Sequence, residues 1–222
     1  LDEIGDGCGL AIDGDFLFDL NWNHIIMITL SKPLILASAS PRRQELMERA
    51  GIPFKVLLKD VSEDYPADLK GYMVAEYIAQ KKANAYDEEV ELGETIVTAD
   101  TIVVVDDVIL GKPADSKSAT DMLRQISGRK HDVITAVCIR NLNTITLFHE
   151  KTEVCFRELE FDEMTYYVEH YKPFDKAGGY GIQEWIGHIG ITSIHGSYDN
   201  VVGFPVARLW AELLKLKSKL LL

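Results

Sequence analysis

Five segments of this chain combine hydroxyl, cationic, acidic and glycine residues in patterns suited to a phosphorylated, base-bearing ligand. The first is Ser38-Ala39-Ser40-Pro41-Arg42-Arg43. It lies between an apolar run and a helix start, where unpaired backbone N–H groups and the helix dipole favour an anion. Its two hydroxyls and two guanidiniums add donors shaped for phosphate. A capped helix with two solvated arginines is the plainer reading. The second is Ala99-Asp100-Thr101, between two β-branched runs. A carboxylate there is costly unless it binds something. It reads as a metal-binding carboxylate or general base at a strand end, or as a turn Asp. Gly111-Lys112-Pro113 sets a lysine on a stiff loop, and Ser127-Gly128-Arg129 offers a hydroxyl, a close-approach glycine and a guanidinium. In Asp175 to Gln183 the glycines let backbone approach a ligand, and Gln183 can read a base edge as donor and acceptor. Gly196 to Pro205 reads as a turn entering a helix that starts at Pro205.

Other chemistries find no support. The phosphate-loop pattern G-x-x-x-x-G-K-[ST] is absent, which argues against the usual kinase or motor ATPase. The six histidines show neither H-x-x-x-H nor H-E-x-x-H spacing, and no G-x-S-x-G elbow occurs. Three cysteines without C-x-x-C argue against a disulfide framework or structural zinc; Cys138 and Cys155 read as small buried hydrophobes.

Elements alternating along the chain must position these segments. Leu34–Ala37 reads as a buried strand, followed by a helix with Ser40 at the N-cap and Pro41 at its first position, stopped near Ala50 by Gly51 and Pro53. Phe54–Leu58 reads as a strand, Lys70–Tyr86 as a long helix, and Ile96–Ala99 and Ile102–Val105 as two strands, with a turn at Asp106-Asp107. Further helices are expected over Lys117–Ile126, Asp162–Tyr171 and Pro205–Lys217. Further strands are expected over His131–Arg140, Thr144–Phe148, Thr152–Phe156 and Ile189–Ile194. This interleaving implies an α/β or α+β class with a mixed sheet.

The length of 222 residues and 47% hydrophobic content suit one domain, or one domain with a lobe. No apolar run approaches the roughly 20 residues of a membrane span. A formal net charge of −12 disfavours DNA or RNA as partner, but not a nucleotide. Residues 1–26 carry six acidic residues and no Lys or Arg, unlike a secretory signal. They read as a non-native or disordered leader, with Met27 as the natural start and 27–222 as the folded unit.

In order and spacing, these segments resemble the Maf family from about Pro33 to Lys215. The resemblance implies an elongated α/β fold with a mixed central sheet, flanking helices and two lobes around a nucleotide cleft, similar to the inosine-triphosphate pyrophosphatase architecture. It implies cytoplasmic hydrolysis of nucleoside triphosphates between the α and β phosphates, with Mg2+ or Mn2+. Asp100 matches the proton acceptor, and Glu63 a metal-associated carboxylate, so the two carry both the catalytic and the metal assignments. Lys82 and Lys112 match phosphate-binding lysines. Ser38, Ser40, Arg42 and Arg43 match the phosphate loop; Arg129 joins the substrate-binding set. Arg42, Thr101 and Gln183 match positions that separate subfamilies by base. The Asp175 to Gln183 string resembles the branch acting on dTTP and UTP. Glu184, where small residues are common, and Asp199, where a bulkier residue is expected, depart from the pattern. The rivals are a non-enzymatic nucleotide-binding regulator of cell division, a pyrophosphatase for methylated guanine or other modified nucleotides, and an RNA-binding module. A homodimer is common in families of this shape.

Overall fold

A computed structural model of the chain describes residues 32–219, with side chains to residue 216. The expected leader and Met27 lie outside the described residues.

A seven-stranded mixed sheet organises the molecule. Its strands are β1 (Leu34–Leu36), β2 (Phe54–Val56), β3 (Ile96–Val105), β4 (Val108–Leu110), β5 (Lys130–Arg140), β6 (Ile145–Phe156) and β7 (Ile191–His195). The order is β2-β1-β3-β5-β6-β7, with β4 paired to β3 off this path. β1 runs parallel to β2 and β3; every pair from β3 onward is antiparallel. The α/β class with a mixed sheet is thus observed. Flanking it are α1 (Pro41–Arg49), α2 (Tyr72–Asn84), α3 (Asp87–Glu91), α4 (Ser116–Ile126), α5 (Phe161–Tyr171), α6 (Trp185–Gly190), α7 (Tyr198–Val202) and α8 (Val206–Lys219).

The apolar patterning accounts for the layers. One face of β3 carries Val97, Ala99, Val103 and Val105. The first pair packs with Leu34, Leu36, Met47, Phe204 and Leu209 from β1, α1 and the α8 region. The second pair packs with Leu123, Ile126, Phe156 and Tyr167 from α4, β6 and α5. On the opposite face, Ile102 meets the α2 stripe of Val74, Ala75, Ile78, Ala79 and Ala83, with Ile134 and Cys138 from β5. Those helical residues recur at spacings of three and four, which align them on one side.

Three sequence expectations are corrected. Ile96–Ala99 and Ile102–Val105 are halves of one strand, so Asp100 lies in mid-strand, not at a strand end. Thr144–Phe148 and Thr152–Phe156 are likewise one strand, because the polar His149-Glu150-Lys151 interval stays paired to β5 throughout. Ile189 and Gly190 end a short helix, and strand β7 begins at Ile191. That helix packs against its own entry: a Cβ on Gly187 would stand 2.0 Å from the Ile182 carbonyl oxygen. The Asp106-Asp107 turn is as read, with positive φ at both residues (45° and 66°), the backbone a tight two-residue hairpin demands.

Candidate active site

A gap along one edge of β3 creates the site. β1 covers β3 only at Ile96 and Val97, and β4 covers it only from Val103 to Val105. Between them, Ala99, Asp100 and Thr101 line a cleft of about 620 Å³. Alternation along the strand sends Asp100 and Thr101 to opposite faces. Asp100 turns toward α2, where its Oδ1 accepts a hydrogen bond from Lys82 Nζ at 2.8 Å. Lys82 stands three residues beyond Ala79 on the buried stripe of α2, and its side chain is only 16% exposed. Thr98, two residues before Asp100 on the same face, fastens the helix by donating to the Ala79 carbonyl at 2.6 Å.

Lys82 Nζ also donates to Glu63 Oε1 at 2.8 Å, and Lys112 Nζ sits 3.0 Å from Glu63 Oε2. Residues far apart in sequence thus form one chain, Asp100–Lys82–Glu63–Lys112. Burial pushes the Asp100 carboxyl above its ordinary value, outweighing the opposing pull of Lys82 and Arg43. Burial also pushes Glu63 up, but there Lys82 and Lys112 win and hold its carboxyl at about 2. Two neighbouring carboxylates therefore have opposed environments, one pushed up by burial and the other held down by two ammonium groups. Among the described residues no three His, Cys, Asp or Glu side chains cluster as a ligand set. Asp100 and Glu63 present hard carboxylate oxygens, the donor type of which Mg2+ takes one or two while completing its shell with substrate oxygens and water, and both hold the Lys82 ammonium at 2.8 Å.

Thr101 turns toward the other face. There Arg43 is spent largely on protein: Nε donates to the Gly203 carbonyl at 2.9 Å, Nη1 to the Ala99 carbonyl at 2.9 Å and to Ser38 Oγ at 3.2 Å, and Nη2 to Thr101 Oγ1 at 3.1 Å. Burial lowers the Arg43 pKa, while Asp100 opposes the shift. The guanidinium is a strut joining the Ser38 loop to β3 and to the turn before α8. Ser38 is buried. Ser40 is the N-cap of α1, but its side chain makes no capping bond, so its hydroxyl and the first-turn N–H groups remain available in the cleft. Arg42 Nη1 holds Asp175 Oδ2 at 2.7 Å across the cleft.

The Asp175 to Gln183 segment forms the opposite wall. Gly178 adopts φ of 70° and packs on β3; a Cβ there would lie 2.9 Å from Val103 Cγ2. Tyr180 anchors the loop from below, its hydroxyl 2.7 Å from Nε2 of buried His131. Burial lowers the His131 pKa to about 4, with Asp132 opposing, so the ring is neutral. Gln183 is exposed, lines the cleft and has no protein hydrogen bond among the described residues.

The structure brings together Ser38, Ser40, Arg42, Arg43, Glu63, Lys82, Asp100, Thr101, Lys112 and Gln183. It does not bring Arg129. That guanidinium pairs with Asp106 at the hairpin turn, and Ser127 Oγ accepts from the Leu159 amide at 2.8 Å, so this segment ties α4 to the start of α5. Asp199, flagged as a departure, does not line the cleft, and Glu184 lies behind it. Sequence reasoning missed Leu58, Val61 and Tyr86, which line the cleft as well. Tyr86 also shapes the entry, its hydroxyl donating to the Leu57 carbonyl and accepting from the Lys59 amide, both at 2.9 Å. Nothing in their local sequence distinguishes them from core residues.

Residues 33–216 match the family model described as Maf-like protein. The chain is 48% identical over 184 residues to the dTTP/UTP pyrophosphatase of Bacteroides thetaiotaomicron, covering 82% of this chain and 95% of that one. It is 50% identical over 184 residues to the dTTP/UTP pyrophosphatase of Phocaeicola vulgatus, again 82% and 95%. With that of Flavobacterium johnsoniae the identity is 44% over 180 residues, 81% and 93%. Among solved structures, the Staphylococcus aureus Ham1 protein is similar with a TM-score of 0.42 and 13% identity, over 56% of this chain and 72% of that one.

Proposed function

This chain belongs to the Maf family, and from that premise we propose that it hydrolyses dTTP and UTP to the monophosphate and pyrophosphate. The observation that carries the reading is the Asp100–Lys82–Glu63–Lys112 chain on one side of a cleft whose far wall ends in an unpartnered Gln183. Charge-bearing groups stand at one end and a base-edge reader at the other, as a nucleotide requires.

Phosphoanhydride hydrolysis needs positioning and charge stabilisation more than covalent catalysis. Asp100, its carboxyl raised by burial, takes the proton of the attacking water at its free oxygen, while Lys82 holds the other. Glu63 stays ionised and keeps Lys82 and Lys112 side by side, where their ammonium groups meet the phosphate chain. Ser40 and the α1 N-terminus add uncommitted donors, and Arg43 fixes the Ser38 loop against β3. Asp100 and Glu63 would hold a Mg2+ or Mn2+ ion, which when bound supplies Lewis-acid polarisation of phosphate oxygens and a more acidic water. Gln183 offers paired hydrogen bonds to the base, and loss of such pairing leaves polar groups unsatisfied, which supports discrimination.

The partner is a free nucleotide. The −12 formal charge speaks against a nucleic acid, and among the described residues no helix is long and apolar enough to cross a membrane. A cytoplasmic location, where such nucleotides are made, follows from this reading. The test is pyrophosphate release with magnesium from a panel of nucleoside triphosphates, including methylated guanine nucleotides. Preferential release from UTP and dTTP is expected. Preference for methylated guanine nucleotides, or binding without release, would refute the assignment.

A further inference from the structure

We propose that Glu184 is a positioning residue for base selection: with Lys176 and Tyr167 it clamps the Asp175 to Gln183 loop so that Gln183 presents its amide to the base. The inference rests on the pyrophosphatase reading above. Glu184 caps α6 with an extended backbone, φ −97° and ψ 172°, so its side chain and that of Gln183 diverge. Gln183 faces the cleft. The Glu184 carboxylate turns inward and divides its oxygens: Oε1 lies 3.0 Å from Lys176 Nζ, and Oε2 accepts from the Tyr167 hydroxyl. The Tyr167 oxygen in turn accepts the Gly181 amide at 3.0 Å. Lys176 Nζ also donates to Asp175 Oδ1 at 2.8 Å.

The loop is therefore fastened at Asp175 and Lys176 on one end and at Gly181 and Glu184 on the other, with Gln183 between the last two. Lys176 is 8% exposed, so its charge has little access to water and depends on its two carboxylate partners. Burial, followed by the neighbouring Glu184, raises the Tyr167 pKa, so the phenol keeps its proton and remains a donor. Gly181 lies directly against the clamp: a Cβ there would stand 2.9 Å from Glu184 Cδ and 3.0 Å from Lys176 Cε, so a side chain at this position would push on both. Asp175 carries the chain on to Arg42 at the phosphate end.

The experiment compares Glu184→Gln and Glu184→Asp with the parent. It reads kcat/KM for UTP, dTTP and GTP, the inhibition constant of tripolyphosphate, which occupies the phosphate end alone, and the melting temperature. Glu184→Gln is expected to lower the UTP-to-GTP ratio by about 10- to 100-fold, as small misplacements do. The tripolyphosphate constant should stay unchanged, and Glu184→Asp should restore most of the ratio. An unchanged ratio, or an equal loss for every nucleotide, would overturn the proposal while leaving the pyrophosphatase reading standing. A parent with no turnover would overturn both. If Glu184→Gln does not fold, Tyr167→Phe removes the hydroxyl that joins Glu184 to the Gly181 amide and carries the same test: a reduced ratio supports the clamp, and an unchanged one refutes it.

Discussion

The two ends of the cleft prepare for a ligand in opposite ways. At the charged end, Arg42, Arg43, Lys82 and Lys112 all hold protein oxygens: Asp175, the Ala99 and Gly203 carbonyls, Asp100 and Glu63. A triphosphate arriving there exchanges one set of acceptors for another, so its affinity is a difference between two strong sets of contacts. At the other end, Gln183 has nothing to give up, and its loop is held from behind by Tyr180, Lys176 and Glu184. Binding there adds hydrogen bonds without breaking any, and the backbone that carries Gln183 is already held, so the ordering cost is confined to the side chain. The charged end should therefore govern turnover and tightness, and the amide end should govern choice among bases.

The largest expected effect lies at the charged end. Asp100→Asn should cut turnover by at least about 10²-fold, the lower range of general-base assistance. The same residue sets a pH dependence that can be worked out in sign. Because burial raises its carboxyl in the folded protein, activity should fall as acid protonates it, on a limb above the ordinary carboxylate value of about 3.9. For stability the direction reverses. A raised folded pKa contributes stability that is full below the unfolded value and lost as pH rises through the folded one. Asp100→Asn should then melt no lower than the parent at neutral pH, with any advantage vanishing in acid. A large fall in its melting temperature would break that account.

Lys112→Ala should raise KM by about 10-fold or more, on the scale of one charged hydrogen bond, with a smaller change in kcat. Steady-state kinetics with unchanged constants would remove it from the phosphate end. Gln183→Ala should sharpen the contrast, flattening the preference among UTP, dTTP, CTP and GTP by about 10-fold while sparing tripolyphosphate inhibition. A base profile identical to the parent would contradict the division between the two ends. The smallest effect belongs to Arg129→Ala. It breaks a surface pair with Asp106 and a long 3.5 Å bond to the Gln125 carbonyl, and both kinetics and melting should stay close to the parent, within about 0.5 kcal/mol in stability.

Much of this was legible from residue types. Pro41 after Ser40 starts a helix as read, Asp106-Asp107 turns a hairpin, and the glycines of Asp175 to Gln183 let that loop run along the cleft, with positive φ at Gly178 and Gly179. The charged residues of the motifs converge because the apolar stripes of β3 and α2 fix their facing sides. What was not legible depended on partners distant in sequence. Asp100 looks like a strand break until Lys82, 18 residues earlier, supplies its counter-charge. His149 to Lys151 looks like a loop, yet β5 pairs with it throughout. Arg129 reads as a phosphate ligand because a guanidinium beside Ser-Gly suits one, but the hairpin brings Asp106 to it first. Arg43 was placed in the site as expected, although its donors serve mainly to brace it.

The most direct test of the central claim is product analysis by phosphorus NMR after a turnover of UTP and magnesium in water enriched in 18O. The account predicts UMP and pyrophosphate, with the label in UMP, since the water activated at Asp100 attacks the α phosphorus. UDP and inorganic phosphate, or no turnover by the folded protein across divalent metals, would contradict it.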